Sequence, residues 1–231
     1  MTPVDNNSMR FLGPLLVVSS FIAAAQTPPR STVQASGTDN VSVTPDQAQI
    51  NVSAVTQAST AQEAASQNAT IATAIQSALA QAIGGSGNVK TVNYSVTPNY
   101  LYPQNASPVL TGYTVTNTIQ VTLNDLSITG KVIDTATQSG ASRIDSLQFT
   151  LKDDTDARSQ ALKAATVKAK AKAEAMAASL GLKTGGVLVI QESGAVIQPL
   201  TTPGTAVAST PVQPGQLTVT GNVTISVELL Q

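Results

Sequence analysis

Cysteine, histidine and tryptophan are absent from the 231-residue chain; only 3% of its residues are aromatic and 11% charged. Without Cys there is no disulfide, thiolate metal site, Cys nucleophile or lipid attached through sulfur. Without His the usual general base and the commonest metal ligand are missing. Any catalysis would have to run on carboxylate, Lys, Tyr, Ser or Thr. Charge is balanced as well: 12 Lys and Arg against 13 Asp and Glu leave a net −1. Nucleic acid and anionic membranes, which call for clustered positive charge, are therefore not expected as partners. What remains is 42% hydrophobic, so the interior must be built from Ala, Val, Ile and Leu. The length suits one or two domains with a sizeable core.

The N-terminus reads as an export signal. Met9-Arg10 precede an apolar run from Phe11 to Ala25 that ends in Ala23-Ala24-Ala25. A cation, a short apolar stretch and small residues at the end are the marks of a secretory signal peptide. The run is short for a bilayer span and contains Pro14. Cleavage is expected after Ala25, with Met9 a candidate for the true start because Met1–Ser8 is polar. No integral span should remain after removal, and a periplasmic or secreted location follows. Residues 26–40, rich in Pro, Ser, Thr and Gly, read as a flexible lead-in.

Beyond Asn40, period-two alternation marks half-buried strands. Ala48, Ile50, Val52 and Ala54 alternate with Gln47, Gln49, Asn51 and Ser53. Thr60 opens an Ala-rich helix to Ile83, stopped by Gly84-Gly85-Ser86-Gly87. Val89–Thr97 and Gly112–Asn124 read as strands, and Leu126–Ser139 as a short helix. Then the order starts again: strand Arg143–Leu151, a long helix to Leu180, strand Gly186–Glu192 and strand Gln216–Leu229. The strand-helix-strand-strand order thus occurs twice, in copies of about 41–124 and 142–231. Several strands have one polar face, so helices should cover only the other. The expected class is α+β, with a mainly antiparallel sheet and helices on one face. In the long helix, Leu162, Ala165, Ala169, Ala173, Met176 and Leu180 are the expected core stripe.

Particular residues carry a family resemblance through nearly the whole region after the export signal. They include Pro45-Asp46-Gln47-Ala48, Lys90-Thr91, Tyr94 and Pro98-Asn99-Tyr100. The centre carries Gly112-Tyr113, Asn117, Asp125-Leu126, Val132-Ile133-Asp134, Gly140-Ala141, Phe149 and Asp153. Arg158, Ala161, Ala165, Ala169, Lys172-Ala173, Ala177, Leu180-Gly181, Glu192 and Pro214-Gly215 complete the pattern. In this order and spacing the chain resembles the SIMPL-domain family, which includes bacterial periplasmic immunogenic proteins and exported proteins linked to oxidative stress. Asp39-Asn40, where glycines are usual, and Ser142, where Asn is usual, depart from that pattern. The resemblance implies an exported, envelope-associated protein with no catalytic motif. It also implies kinship with proteins that form ring- or channel-like homo-oligomers or that support stress tolerance.

Most chemistry-bearing features have plain structural readings. Acids at the start of the long helix and Lys163, Lys168, Lys170 and Lys172 further on complement its dipole. Asp153, Asp154 and Asp156 lack the Gly-bearing loop and terminal Glu of a calcium site, and read as helix capping. The Gly84–Gly87 cluster follows a helix instead of opening one, so it is not a phosphate loop. No cofactor or metal is expected. Two segments are candidate partner surfaces: Tyr100, Leu101, Tyr102 and Val109 at the first copy's hairpin, and Val196, Ile197 and Leu200 in the Pro/Gly/Thr-rich insert 193–215. The leading expectation is a non-enzymatic envelope protein that forms a homo-oligomer through sheet edges and these inserts. The alternative is a binding module for a hydrophobic ligand or another envelope protein. A Ser/Lys or carboxylate enzyme ranks last.

Overall fold

The computed structural model describes residues 30–194, 196–199 and 214–231; the export segment and Leu200 lie outside these. Among the described residues, eight strands form two antiparallel sheets, with three α-helices. This is the α+β class that the alternation predicts, and each sheet carries its helices on one face.

The first sheet has the order β3-β4-β2-β5, built from β2 (Gln47–Ala58), β3 (Gly87–Leu101), β4 (Val109–Leu123) and β5 (Arg143–Thr150). Alternation turns Ile50, Val52, Ile119, Val121 and Leu123 toward one face, where they are fully buried. They pack on Ile75 and Leu79 of α1 (Ala61–Ile83) and on Val132 of α2 (Thr129–Gln138). Each such aliphatic side chain contributes about 1.5–3 kcal/mol by leaving water. Helix α1 begins where the Thr60 hydroxyl accepts the Glu63 amide at 3.2 Å. It ends at Gly84, whose φ of 54° is the left-handed cap that the glycine cluster predicts. Inside the interface, the buried Asn68 side chain donates to the carbonyls of Ala54 at 2.9 Å and Val115 at 3.3 Å. These bonds fix the helix over the seam between β2 and β4.

The second sheet has the order β1-β8-β6, from β1 (Thr32–Val43), β6 (Lys183–Glu192) and β8 (Leu217–Leu230). A short β7 (Val196–Pro199) pairs with Leu217–Thr220 of β8. Because β1 occupies the other side of β8 over Leu217–Glu228, β7 continues the flank that β6 begins. Helix α3 (Thr155–Ser179) covers β1 and β8 by an unexpected route. Its buried residues are all alanine: Ala157, Ala161, Ala165, Ala169, Ala173 and Ala177. The expected stripe is corrected at three positions, since Met176 and Leu180 are exposed and Leu162 is only half-buried. Spacing by four places the alanines along one oblique row of the helix surface. The small row lets α3 come down to backbone contact with the sheet. A Cβ on Gly37 of β1 would lie 2.0 Å from the Ala165 carbonyl oxygen, and one on Gly221 of β8 would lie 2.6 Å from the Ala161 carbonyl carbon.

The two strand-helix-strand-strand units exist in sequence order but are not self-contained. Strand β5, which opens the second unit, joins the first sheet beside β2. Strand β1 takes the corresponding place beside β8, pairing along its whole length. The lead-in expected to be flexible is therefore corrected from Thr32 onward. Its Val33, Ala35, Gly37 and Val41 alternate with polar residues, a pattern masked in the sequence by Gly, Ser and Thr. Where the chain changes sheets, Asp46 closes the crossing. Its amide donates to the Thr150 carbonyl at 3.3 Å, and its carboxylate accepts the Lys152 amide at 2.7 Å.

Candidate interaction surfaces

The β3–β4 hairpin extends past the helices, and its far end keeps its apolar residues in water. Tyr100 and Leu101 pair with Leu110 and Val109, and all four are exposed, as is Tyr102. The Tyr100 and Tyr102 rings sit 6.5 Å apart at 52°. Nothing between Thr91 and Asn124 carries a charge, so docking there would desolvate no ion. Tyrosines supply apolar area together with a hydroxyl, the combination enriched at protein interfaces. The expected cluster Tyr100, Leu101, Tyr102 and Val109 is thus gathered at one tip.

The second expected segment divides. Val196 is exposed, whereas Ile197 packs against Ala157, Ala161 and Val219 beneath α3. Ile197 is therefore better explained as core. Leu200 falls outside the described residues, so β7 is the described part of an insert expected to be irregular.

The strand expected at Gly186–Glu192 is present as β6, but its exposure was not foreseen. Val187, Leu188, Val189 and Ile190 are each 42–60% exposed, although consecutive strand residues point to opposite faces. Both faces of this stretch are open, because α3 lies over β1 and β8. A continuous apolar run usually marks a strand buried on both faces. The signal that could have corrected this is its position between a helix end and the long insert, which suits an edge.

The polar faces are satisfied internally. On the first sheet, Asn51 donates to Ser146 at 3.0 Å and accepts from Gln120 at 3.2 Å. Ser53 bonds Thr118 at 2.8 Å and donates to the Asp145 carboxylate, which pairs with Arg143 at 2.5 Å. Ser53 is fully buried and so is not presented to a substrate. On the second sheet, Ser36 bonds Thr224 and Thr38 donates to Asn222, both at 2.8 Å.

Three carboxyls are held below the usual range, each by local donors. The Asn40 amide foremost, with Lys168, lowers Asp39; the Ser127 hydroxyl and amide lower Asp125; the Thr155 hydroxyl and amide lower Asp153. Asp125 and Asp153 sit at helix starts, Asp153 accepting the first amide of α3 at 3.0 Å. Capping thus accounts for Asp153, while neighbouring Asp154 pairs with Arg158 at 2.7 Å. Among the described residues no three carboxylates converge on a metal-sized space, and no helix is long and apolar enough to cross a membrane.

The alanine row, the Asp46 crossing and the paired sheets account for much of the residue pattern described above. A family model for SIMPL, described as a protein of unknown function (DUF541), matches residues 33–227. The chain belongs to the SIMPL family. It is also 28% identical over 164 residues to a 26 kDa periplasmic immunogenic protein of Brucella melitensis. The corresponding protein of Brucella abortus gives the same identity over the same length. In each case the match covers 69% of this chain and 66% of the relative. In this SIMPL chain the pattern residues are largely architectural: Asp46 locks the crossing, Asp153 caps α3, and Ala161 to Ala177 let α3 approach the sheet. Of those named, Tyr94, Tyr100 and Leu180 are exposed apolar side chains, and Tyr100 lies in the β3–β4 tip.

Proposed function

We propose that this is an exported envelope protein without a catalytic role, which works by assembling with further copies of itself. Two findings support export: the signal-like segment ending at Ala25, and similarity to proteins named as periplasmic. The observation that carries self-association is exposed apolar surface, above all along the β3–β4 hairpin and the β6 strand. Contiguous apolar surface on an exported protein marks a contact site. Any tie to stress tolerance rests on the family resemblance alone. Light scattering on the purified exported protein tests the assembly: the mass should exceed that of one copy, and a strict monomer at every concentration would remove the reading.

A second reading is favoured by the paired tyrosines of the tip. There Tyr100, Tyr102 and Val109 receive a hydrophobic ligand or another envelope protein. Tyr100→Ala with Tyr102→Ala should abolish co-purification of such a partner and leave the fold intact, because both side chains are exposed. Survival of the complex would place its site elsewhere.

A further inference from the structure

Among the described residues the two sheets present five outer strands, and four of them are guarded, β7 by its length of only 4 residues and its closing Pro199. Natural sheets protect edges with charge, proline, bulges or short length, because free N–H and C=O groups recruit other strands. Strand β1 is crossed by α3 lysines: Lys172 donates to the Ser36 carbonyl at 2.9 Å, and Lys168 pairs with Asp39 at 3.1 Å. Strand β5 is only 8 residues long and carries Arg143 and Asp145. Strand β3 contains Lys90 and Pro98, and its register slips around Val92. Strand β6 differs. From Thr184 to Gln191 it has neither charge nor proline. Its register against β8 shifts around Val187, but Val189–Glu192 pair with β8 without interruption.

We propose that β6 pairs antiparallel with β6 of a second copy, joining two β1-β8-β6 sheets into one continuous sheet. The proposal rests on the self-association reading and assigns its contact. The occupant follows from charge: Lys183 begins β6 and Glu192 ends it. Antiparallel pairing brings the Lys183 end of each strand toward the Glu192 end of the other, opposite charges meeting at both ends. Parallel pairing would set like against like. Between those ends, this register sets Val187 of each copy opposite Leu188 of the other, one aliphatic cross-strand pair on each face of the joined sheet. The contact is isologous, so each copy's β6 edge is consumed and strand addition closes at two. Larger assemblies then need another surface, and the β3–β4 hairpin offers an exposed apolar one.

The test is the native mass of the purified exported protein carrying Leu188→Lys with Val189→Lys. Both side chains are exposed, and in the pair they would set two ammonium groups near each other on each face of the sheet. The expected result is a drop in mass of at least twofold with an unchanged far-ultraviolet circular dichroism spectrum. Independently, because the chain has no cysteine, Val187→Cys and Leu188→Cys each supply a single thiol, and these two positions oppose each other across the pair. A short bismaleimide should couple the two variants when they are mixed, but neither of them to Val167→Cys, an exposed position on α3. If the wild type assembles but the lysine variant keeps its full mass, or if the Val187→Cys and Leu188→Cys variants fail to couple, the β6 pairing is overturned and self-association stands. A monomeric wild type removes both.

Discussion

Gly37→Ala tests the backbone contact between α3 and the second sheet. The added Cβ would sit 2.0 Å from the Ala165 carbonyl oxygen and 2.5 Å from the Ala169 amide nitrogen. Both neighbours are helix backbone, so no side-chain rotation relieves the clash. Helix α3 would have to retreat by on the order of 1 Å, loosening the alanine row against Val223, Ile225 and Val227. Inserting one methyl into a packed interior costs about 1–3 kcal/mol and occasionally more, and the upper end is expected here because backbone must move. Urea unfolding followed by circular dichroism measures it as a lower midpoint at unchanged slope. Two companions isolate the cause. Gly186→Ala meets nothing within 4 Å and should change stability by less than about 0.5 kcal/mol. Ala165→Gly added to Gly37→Ala should not rescue it, since the obstructing atom is the carbonyl and not the methyl. A Gly37→Ala protein within about 0.5 kcal/mol of wild type would refute close approach as the role of this glycine.

Two further outcomes are expected. Leu79→Ala, at a fully buried position against the first sheet, should cost about 2–5 kcal/mol in the same unfolding assay. For Asp39 the sign follows from a folded-state pKa below the unfolded one. Its contribution is present above the ordinary carboxylate range and fades as pH falls through the lowered value. Stability curves of wild type and Asp39→Asn should therefore differ near neutrality and converge in acid; parallel curves would contradict the assignment.

What the linear chain determined is considerable. Strict alternation in β2, β4 and β8 follows from strands with one dry and one wet face. The limits of α1 follow from Thr60 and Gly84, whose local chemistry needs no distant partner. The tyrosines and apolar residues around Tyr100 were legible as a surface because a hairpin tip has nothing beneath it. Pairing was not legible. Strands β1 and β5 alternate as well in one sheet as in the other, so only the Asp46 crossing and mutual packing decide their exchange. The alanine row could not be ranked above Met176 and Leu180 by hydrophobicity, because its advantage is closeness to Gly37 and Gly221, distant in sequence. The bareness of β6 was equally hidden: Val187–Ile190 read only as part of a strand, and it is the position of α3 that leaves both of their faces in water. Periodicity and caps are local and survive in one dimension, whereas the partner of a strand and the cover of a face are set by which surfaces meet.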